Sequence, residues 1–231
     1  MSLNKFILQD PKDLLKALAF DPVSIWIEYG SGGVLEHEFD LNPSDFLSFA
    51  DADLAESNQR ALVNALSNAK RAIDCQVDKV FCCFGTNSRK NFPQKMKILN
   101  EMGIIAPRII SKIVTMRNYL EHEYRCPEQE KVEDAVDIAN LFVTSLDRAL
   151  QFPDQYAIEN SNEAEDERSL DVRFDKENKE FHLYGRTPNM ESRSVIKASA
   201  LGYIPLIRLS ICVERQLNCE AAAQNFFSVF V

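Results

Sequence analysis

The sequence predicts a mainly α-helical fold, in which a helical bundle over residues 43–152 is flanked by N- and C-terminal segments that contain β-hairpins. The first observation is a run of apolar residues at helical spacing that begins near residue 43. The second is the alternation of apolar and polar residues before and after this run, which is typical of strands. The third is size, because 231 residues with 45% hydrophobic content can bury a substantial core. We therefore expect three segments, 1–42, 43–152 and 153–231, with the first and last meeting in a small sheet.

The N-terminal segment is predicted to contain a helix and a hairpin. Residues 10–20 begin with Asp10 before Pro11, a favourable helix entry, and continue with leucines at helical spacing. Two apolar stretches, VSIWIEY and VLEHEFDL, follow and are separated by GSGG at residues 30–33. A glycine-rich break between two such stretches predicts a hairpin turn. GSGG lacks the lysine and the following helix of a phosphate loop, so we interpret it as a turn.

The central segment is predicted to be helical throughout. Its second piece is rich in alanine and leucine and is long enough to span a bundle, and its last piece has acids early and Arg148 late, as the helix dipole prefers. Proline, glycine and short polar breaks separate the pieces. The five predicted helices cover residues 43–50, 53–84, 92–102, 106–124 and 128–151.

The C-terminal segment is predicted to mix strands and helices. Residues 158–168, IENSNEAEDER, are acidic and indicate a surface linker. Residues 169–174 and 180–184 then alternate apolar and polar side chains around a polar break, which predicts a second hairpin. The stretch from residue 192 onward is apolar enough to pack, but its pattern fits both helix and strand.

Charge and cysteine content narrow the class of protein. The formal net charge of -9 argues against a protein that coats nucleic acid by bulk charge. Residues 65–125, however, hold eleven lysines and arginines and five acids, a local net charge of +6, which fits either an anionic ligand or a solvated face.

Six cysteines without regular spacing or a signal peptide indicate a reducing cytoplasm. We expect no membrane span, metal or cofactor, since no apolar stretch is long enough to cross a bilayer and no CxxC or histidine cluster occurs.

The stretch RNYLEHEYR, residues 117–125, combines side chains that can act on a phosphodiester. Arg117 offers a planar fork for phosphate, His122 can transfer a proton near neutral pH, and Asn118 lies on the face of His122 in a helix. These are the parts needed to cleave RNA without metal, with the 2'-hydroxyl as nucleophile and a second copy of the chain supplying the second proton-transfer group. The alternative is the ordinary polar side of a helix.

The pattern Arg117-Asn118-x-x-x-His122-x-Tyr124 resembles the signature of HEPN-domain proteins, many of which are toxin or defence ribonucleases. The resemblance covers about half of the chain, and it implies a HEPN-like helical bundle and a metal-independent endoribonuclease with a composite site in a homodimer. Arg117 would stabilise phosphate, His122 would do acid-base work and Asn118 would position both. Tyr124 matches a tyrosine that accepts an inhibitory nucleotide in a subset of the family paired with nucleotidyltransferase antitoxins, so such an antitoxin is an expected partner.

Further basic residues and histidines complete the prediction. Arg89 and Lys90 lie beside a phenylalanine in a basic loop, and together with Arg125 they are candidate RNA contacts, although a solvated loop also fits. His37 and His182 are expected to be strand residues without metal-type neighbours. The alternative function is a non-catalytic dimerisation or regulatory binding module, which the acidic charge and the long flanking segments favour.

Overall fold

A computed structural model of the chain describes residues 7–21, 24–56, 58–86, 89–104, 128–160 and 168–230. The chain divides into two compact units. The sheet unit comprises Met1–Leu35, Phe84–Thr86 and Gln151–Val231. The helical unit comprises Glu36–Cys83 and Asn87–Leu150.

Seven helices and six strands lie within these described ranges. The helices are α1 (Pro11–Leu18), α2 (Pro43–Glu56), α3 (Gln59–Cys83), α4 (Phe92–Glu101), α5 (Gln129–Ala149), α6 (Tyr203–Arg215) and α7 (Cys219–Ser228). The strands are β1 (Ile7–Leu8), β2 (Ile25–Val34), β3 (Gln151–Asn160), β4 (Ser169–Asp175), β5 (Glu180–Thr187) and β6 (Met190–Lys197).

The predicted fold class, mainly α with a HEPN-like bundle and two flanking hairpins, is wrong. The fold is mixed α+β, because the strands join in one six-stranded sheet with the order β1-β6-β5-β4-β3-β2. Strands β2 to β6 form an antiparallel meander, and β1 pairs with β6 in parallel. Three strands were missed in the sequence: β1, β3, which begins where the bundle was expected to end, and β6, whose pattern was ambiguous.

The first predicted hairpin is replaced by a single ten-residue strand, β2. Its glycines allow close backbone approach to β3 rather than a turn. A Cβ atom on Gly30 would lie 2.9 Å from the carbonyl oxygen of Gln155, and one on Gly32 would lie 2.9 Å from that of Phe152. Irregular register between Tyr29 and Gly32 marks the bulged part of the strand. The second predicted hairpin, β4 with β5, is confirmed.

Aromatic side chains form the core of the sheet unit. The ring centroids of Phe84 and Phe152 are 5.1 Å apart, those of Phe152 and Phe174 are 5.2 Å apart, and those of Phe174 and Phe181 are 5.0 Å apart. Tyr203 of α6 continues the series, 5.5 Å from Phe181. All five side chains are buried, and such tilted contacts between rings add to the stabilisation from burial itself.

The covered face of the sheet also receives helices α1 and α6. Helix α1 begins at Pro11, and the Asp10 carboxylate accepts the backbone N–H of Lys12 at 2.9 Å as an N-cap. Its buried leucines pack on β5, where a Cβ atom on Gly185 would lie only 3.2 Å from the Leu14 side chain. The missing side chain at Gly185 therefore lets the helix lie close to the strand.

The helical unit is built on α3, which packs against α2 and α5. Small and branched side chains on α3 and α5 form a buried cluster of Leu62, Ala65, Leu66, Val132 and Ala135. Helix α4 begins with a capping box in which Asn91 and Gln94 bond each other's backbone N–H groups. These helices match four of the five predicted pieces, with the end of α2 and the start of α3 each six residues later than predicted. The fifth piece, 106–124, lies outside the described residues.

Candidate functional site

The residues predicted to cleave RNA lie outside the part of the chain that the structure describes. Arg117, Asn118, His122, Tyr124 and Arg125 all fall between α4 and α5, in the range 105–127. Their catalytic, RNA-binding and modification roles therefore stay predictions from the sequence.

The basic residues Arg89 and Lys90 lie immediately before helix α4. Arg89 is exposed, Lys90 is half-buried, and Asn91 beside them caps the helix. Elsewhere in the helical unit, part of the local positive charge is already paired, since Lys79 contacts Asp147 at 3.5 Å and Lys95 forms an ion pair with an aspartate of α3. Since Asp147 lies outside residues 65–125, the local net charge of +6 overstates the charge available to an anion, and RNA contact by Arg89 and Lys90 stays a prediction.

A polar connection joins α3 to α5 inside the helical unit. The side chain of Gln76 is fully buried, and its Nε2 donates to Oδ1 of Asp147 at 2.9 Å. The Oε1 atom of Gln76 has no hydrogen-bond partner among the described residues. This hydrogen bond fixes the orientation of α3 relative to α5, and we interpret its role as structural.

The face of the sheet opposite the aromatic core carries a second and larger polar cluster. Side chains alternate between faces along a strand, so Phe181 and Leu183 are buried while Glu180, His182 and Tyr184 lie on the opposite face. The pairing of β5 with its neighbours then sets Arg173 of β4 opposite His182, and Arg193 of β6 opposite Tyr184. The meander thus collects charged and aromatic groups from three strands.

His182 occupies the middle of this cluster. Its Nε2 atom lies 3.2 Å from Oε1 of Glu180 and 3.8 Å from Oδ2 of Asp175, while Nδ1 lies 2.5 Å from the guanidinium of Arg193. A guanidinium can only donate, so Nδ1 must accept, and a neutral imidazole then carries its proton on Nε2, facing the carboxylates. The surrounding charges therefore select one tautomer of His182.

The same cluster is the one group of possible metal ligands within the described ranges. The nearest ligand atoms of Asp175, Glu180 and His182 all lie within 4.8 Å of one another. The expectation that His182 lacks metal-type neighbours is therefore wrong. A histidine that binds metal, however, normally donates its second ring N–H to an acceptor, whereas here Nδ1 faces the donor Arg193. The donor set fits a hydrogen-bonded cluster better than a metal centre.

The Asp175 carboxylate also accepts hydrogen bonds from the turn between β4 and β5. Its Oδ1 accepts the backbone N–H groups of Glu177 and Asn178, and its Oδ2 accepts the Asn178 side-chain amide at 2.8 Å. Hydrogen bonds from the side chain and then the backbone of Asn178 are the largest causes that lower the pKa of the Asp175 carboxyl, with further lowering from Glu177 and His182. The turn thus holds this carboxylate ionised beside His182.

Tyr184 is flanked by two arginines. The guanidinium carbon of Arg173 lies 5.0 Å from the centre of the Tyr184 ring, and that of Arg193 lies 5.6 Å from it. The His182 ring is nearly parallel to that of Tyr184. Cation–π attraction and the bond to His182 restrict where the guanidiniums can lie. Sequence reasoning missed this group, although alternation in β4 and β5 placed Arg173, His182 and Tyr184 on the same face.

Comparison with known proteins gives no relative for the chain: no family model, curated protein or solved structure matches it. Within the described ranges, none of the helices is long and apolar enough to cross a membrane.

Proposed function

We propose that the chain is a metal-independent endoribonuclease that cleaves RNA through its 2'-hydroxyl. The observation that carries the proposal is the sequence set Arg117-Asn118-x-x-x-His122-x-Tyr124, with its resemblance to the HEPN ribonucleases. The positive balance of residues 65–125 supports it, because an RNA substrate must be held through its phosphates.

Each residue of the set has one role in the proposed reaction. His122 removes the proton from the 2'-hydroxyl, and the oxygen attacks the adjacent phosphorus. Arg117 stabilises the negative charge that develops on the phosphoryl oxygens, and Asn118 positions both side chains. The bond to the 5'-oxygen breaks, that oxygen takes up a proton, and a 2',3'-cyclic phosphate remains. His122 of a second protomer is the proposed proton donor, which makes the working form a homodimer.

Regulation by a partner is part of the proposal. Tyr124 lies two residues after His122, so a nucleotide attached to its hydroxyl would add negative charge and bulk beside the proposed site. A nucleotidyltransferase-like antitoxin is the proposed source of this modification, and the cytoplasm is the proposed compartment.

The test is cleavage of a labelled single-stranded RNA by purified protein in excess chelator. Wild type should release fragments that end in 2',3'-cyclic phosphate, and His122→Ala and Arg117→Ala should each reduce the rate at least a hundredfold. His37→Ala is the matched control, since it removes a half-buried histidine outside the proposed motif whose ring lies edge-on to Phe39, and its rate should equal that of wild type.

Two results would overturn the proposal. One is cleavage that survives both His122→Ala and Arg117→Ala, and the other is an absence of cleavage by folded wild type on several RNA sequences. A stable dimer without turnover would support the alternative of a non-catalytic dimerisation or regulatory module.

A further inference from the structure

The face of the sheet opposite the aromatic core holds two arginines without acidic partners among the described residues. Arg173 and Arg193 approach the Tyr184 ring from β4 and β6, with guanidinium carbons 5.0 and 5.6 Å from its centre. Neither forms an ion pair with any described carboxylate, whereas Arg186 on the same face contacts Glu191 at 3.8 Å. The two cations are therefore held beside the same aromatic ring, and Arg193 also by a histidine, rather than by opposite charge.

Most hydrogen-bond donors of the Arg173 and Arg193 guanidiniums have no acceptor among the described residues. Among the described residues, the Arg173 side chain makes no hydrogen bond, and the Arg193 side chain makes one, to Nδ1 of His182. The Nε atom of Arg193 is buried and has no described partner. Buried donors on a charged group are normally satisfied, so the buried Nε of Arg193 indicates a missing acceptor, while the exposed side chain of Arg173 keeps its donors available beside the same ring.

We propose that Arg173 and Arg193 bind the terminal phosphate of a small ligand. A carboxylate carries one charge and can be satisfied by one bidentate arginine, whereas a phosphate monoester carries nearly two charges at pH 7 and offers three acceptor oxygens. Two guanidiniums around one ring match the charge and the oxygen count of the monoester.

The surrounding acids select against a long polyanion. Glu28, Glu159 and Asp171 lie on the same face, in register with Trp26, Tyr184 and their neighbours, and none of the three forms an ion pair with a described residue. RNA that crossed this face would bring several phosphates near these carboxylates, and two arginines would neutralise only a small part of its charge. A compact ligand with one terminal phosphate avoids this repulsion.

His182 is a positioning residue in the proposed site. Its Nδ1 holds the guanidinium of Arg193, and its Nε2 faces Glu180 and Asp175. These acids favour the tautomer that accepts from Arg193, so they support the proposed site through the imidazole.

The test is isothermal titration calorimetry on the full chain. The probes are inorganic phosphate, adenosine 5'-monophosphate, acetate, and a short oligodeoxynucleotide without a terminal phosphate. Phosphate and the mononucleotide should bind, and Arg173→Gln and Arg193→Gln should each weaken binding at least tenfold. Arg186→Gln is the matched control, because it removes a cation from the same face that already has an acidic partner, and affinity should stay within about twofold of wild type.

A gain of affinity separates this site from a folding effect. Asp171 lies opposite Tyr184 and two residues before Arg173, so Asp171→Asn should strengthen phosphate binding by removing a nearby negative charge. The proposal is overturned if neither inorganic phosphate nor the mononucleotide binds, or if Arg186→Gln weakens binding as much as Arg173→Gln and Arg193→Gln do. It is also overturned if the oligodeoxynucleotide binds more tightly than the mononucleotide and its binding depends on Arg173 and Arg193 in the same way. No RNA cleavage enters this readout, so its outcome is independent of the proposed ribonuclease activity.

Discussion

Tyr203→Phe should destabilise the sheet unit more than Tyr156→Phe, although both remove one buried phenolic hydroxyl. The Tyr203 hydroxyl lies 2.6 Å from the carbonyl oxygen of Phe84 and 2.9 Å from that of Lys179. The Tyr156 hydroxyl lies 3.1 Å from Oγ of Ser210. The two tyrosines are 0% and 1% exposed, so the comparison holds burial constant and changes only the partners.

The partners decide the expected cost. Without the Tyr203 hydroxyl, the buried Phe84 carbonyl has no donor among the described residues, and an orphaned group of this kind costs about 1–3 kcal/mol. Ser210, in contrast, still donates to the carbonyl oxygen of Leu206 at 2.9 Å when Tyr156 is changed, so only an ordinary hydrogen bond of about 1 kcal/mol is lost. We expect Tyr203→Phe to cost about 2 kcal/mol and Tyr156→Phe about 1 kcal/mol.

The assay is urea unfolding followed by the fluorescence of Trp26, the single tryptophan of the chain, which belongs to the sheet unit. Far-ultraviolet circular dichroism reports the helices in parallel, so that separate transitions of the two units can be distinguished. Equal losses in the two variants, or a loss below about 0.5 kcal/mol for Tyr203→Phe, would refute the reasoning from orphaned carbonyls.

Three further predictions concern the sheet unit. Burial raises the pKa of both buried phenols above their usual 10.0, and the unfolded chain releases these protons first, so the contribution of the two phenols to stability should be constant below pH 10 and fall above it, with a smaller fall in the double phenylalanine variant. Gly85→Ala should lower the free energy of unfolding by about 1–3 kcal/mol, because Gly85 has φ of 61° and the new Cβ would lie 2.6 Å from that of Lys179; an unchanged urea midpoint would contradict this. Asn178→Ala should raise the pKa of the Asp175 carboxyl toward its usual value of 3.8, as measured by NMR titration, since the Asn178 amide is the largest cause of its lowering.

Local signals made most of the described helices predictable. Proline at the start of α1 and near the start of α4 marked their beginnings, and apolar spacing marked the buried faces of α3 and α5. The boundary between α2 and α3 was placed too early because acids at residues 51 and 53 resemble a polar break. The true start of α3 is fixed by Asn58, whose Oδ1 accepts the backbone N–H of Ala61 at 3.0 Å.

The sheet was harder to predict because its pairing is not local. Pro153 resembles the end of an element, yet it lies inside β3, beyond the residues that pair with β4, where its missing N–H removes no hydrogen bond to that strand. The glycines of β2 resemble a turn in the sequence. Their actual role, to allow close approach of the β3 backbone, depends on a strand that is distant in the sequence. The cluster around His182 was equally hard to predict, because its side chains come from three strands and a turn and lie close together only in the folded sheet.

The order of the strands in the sequence has a consequence for how the chain folds during synthesis. Val34 at the end of β2 pairs with Gln151 at the start of β3, so about 116 residues are made between the two strands. At about 5–20 residues per second, this separation corresponds to roughly 6–23 seconds. The helical unit is complete in sequence at Leu150, before any partner of β1 or β2 exists. During that interval β2 carries Trp26, Tyr29 and Val34 without a neighbouring strand, and crowding of nascent chains would promote association through this segment.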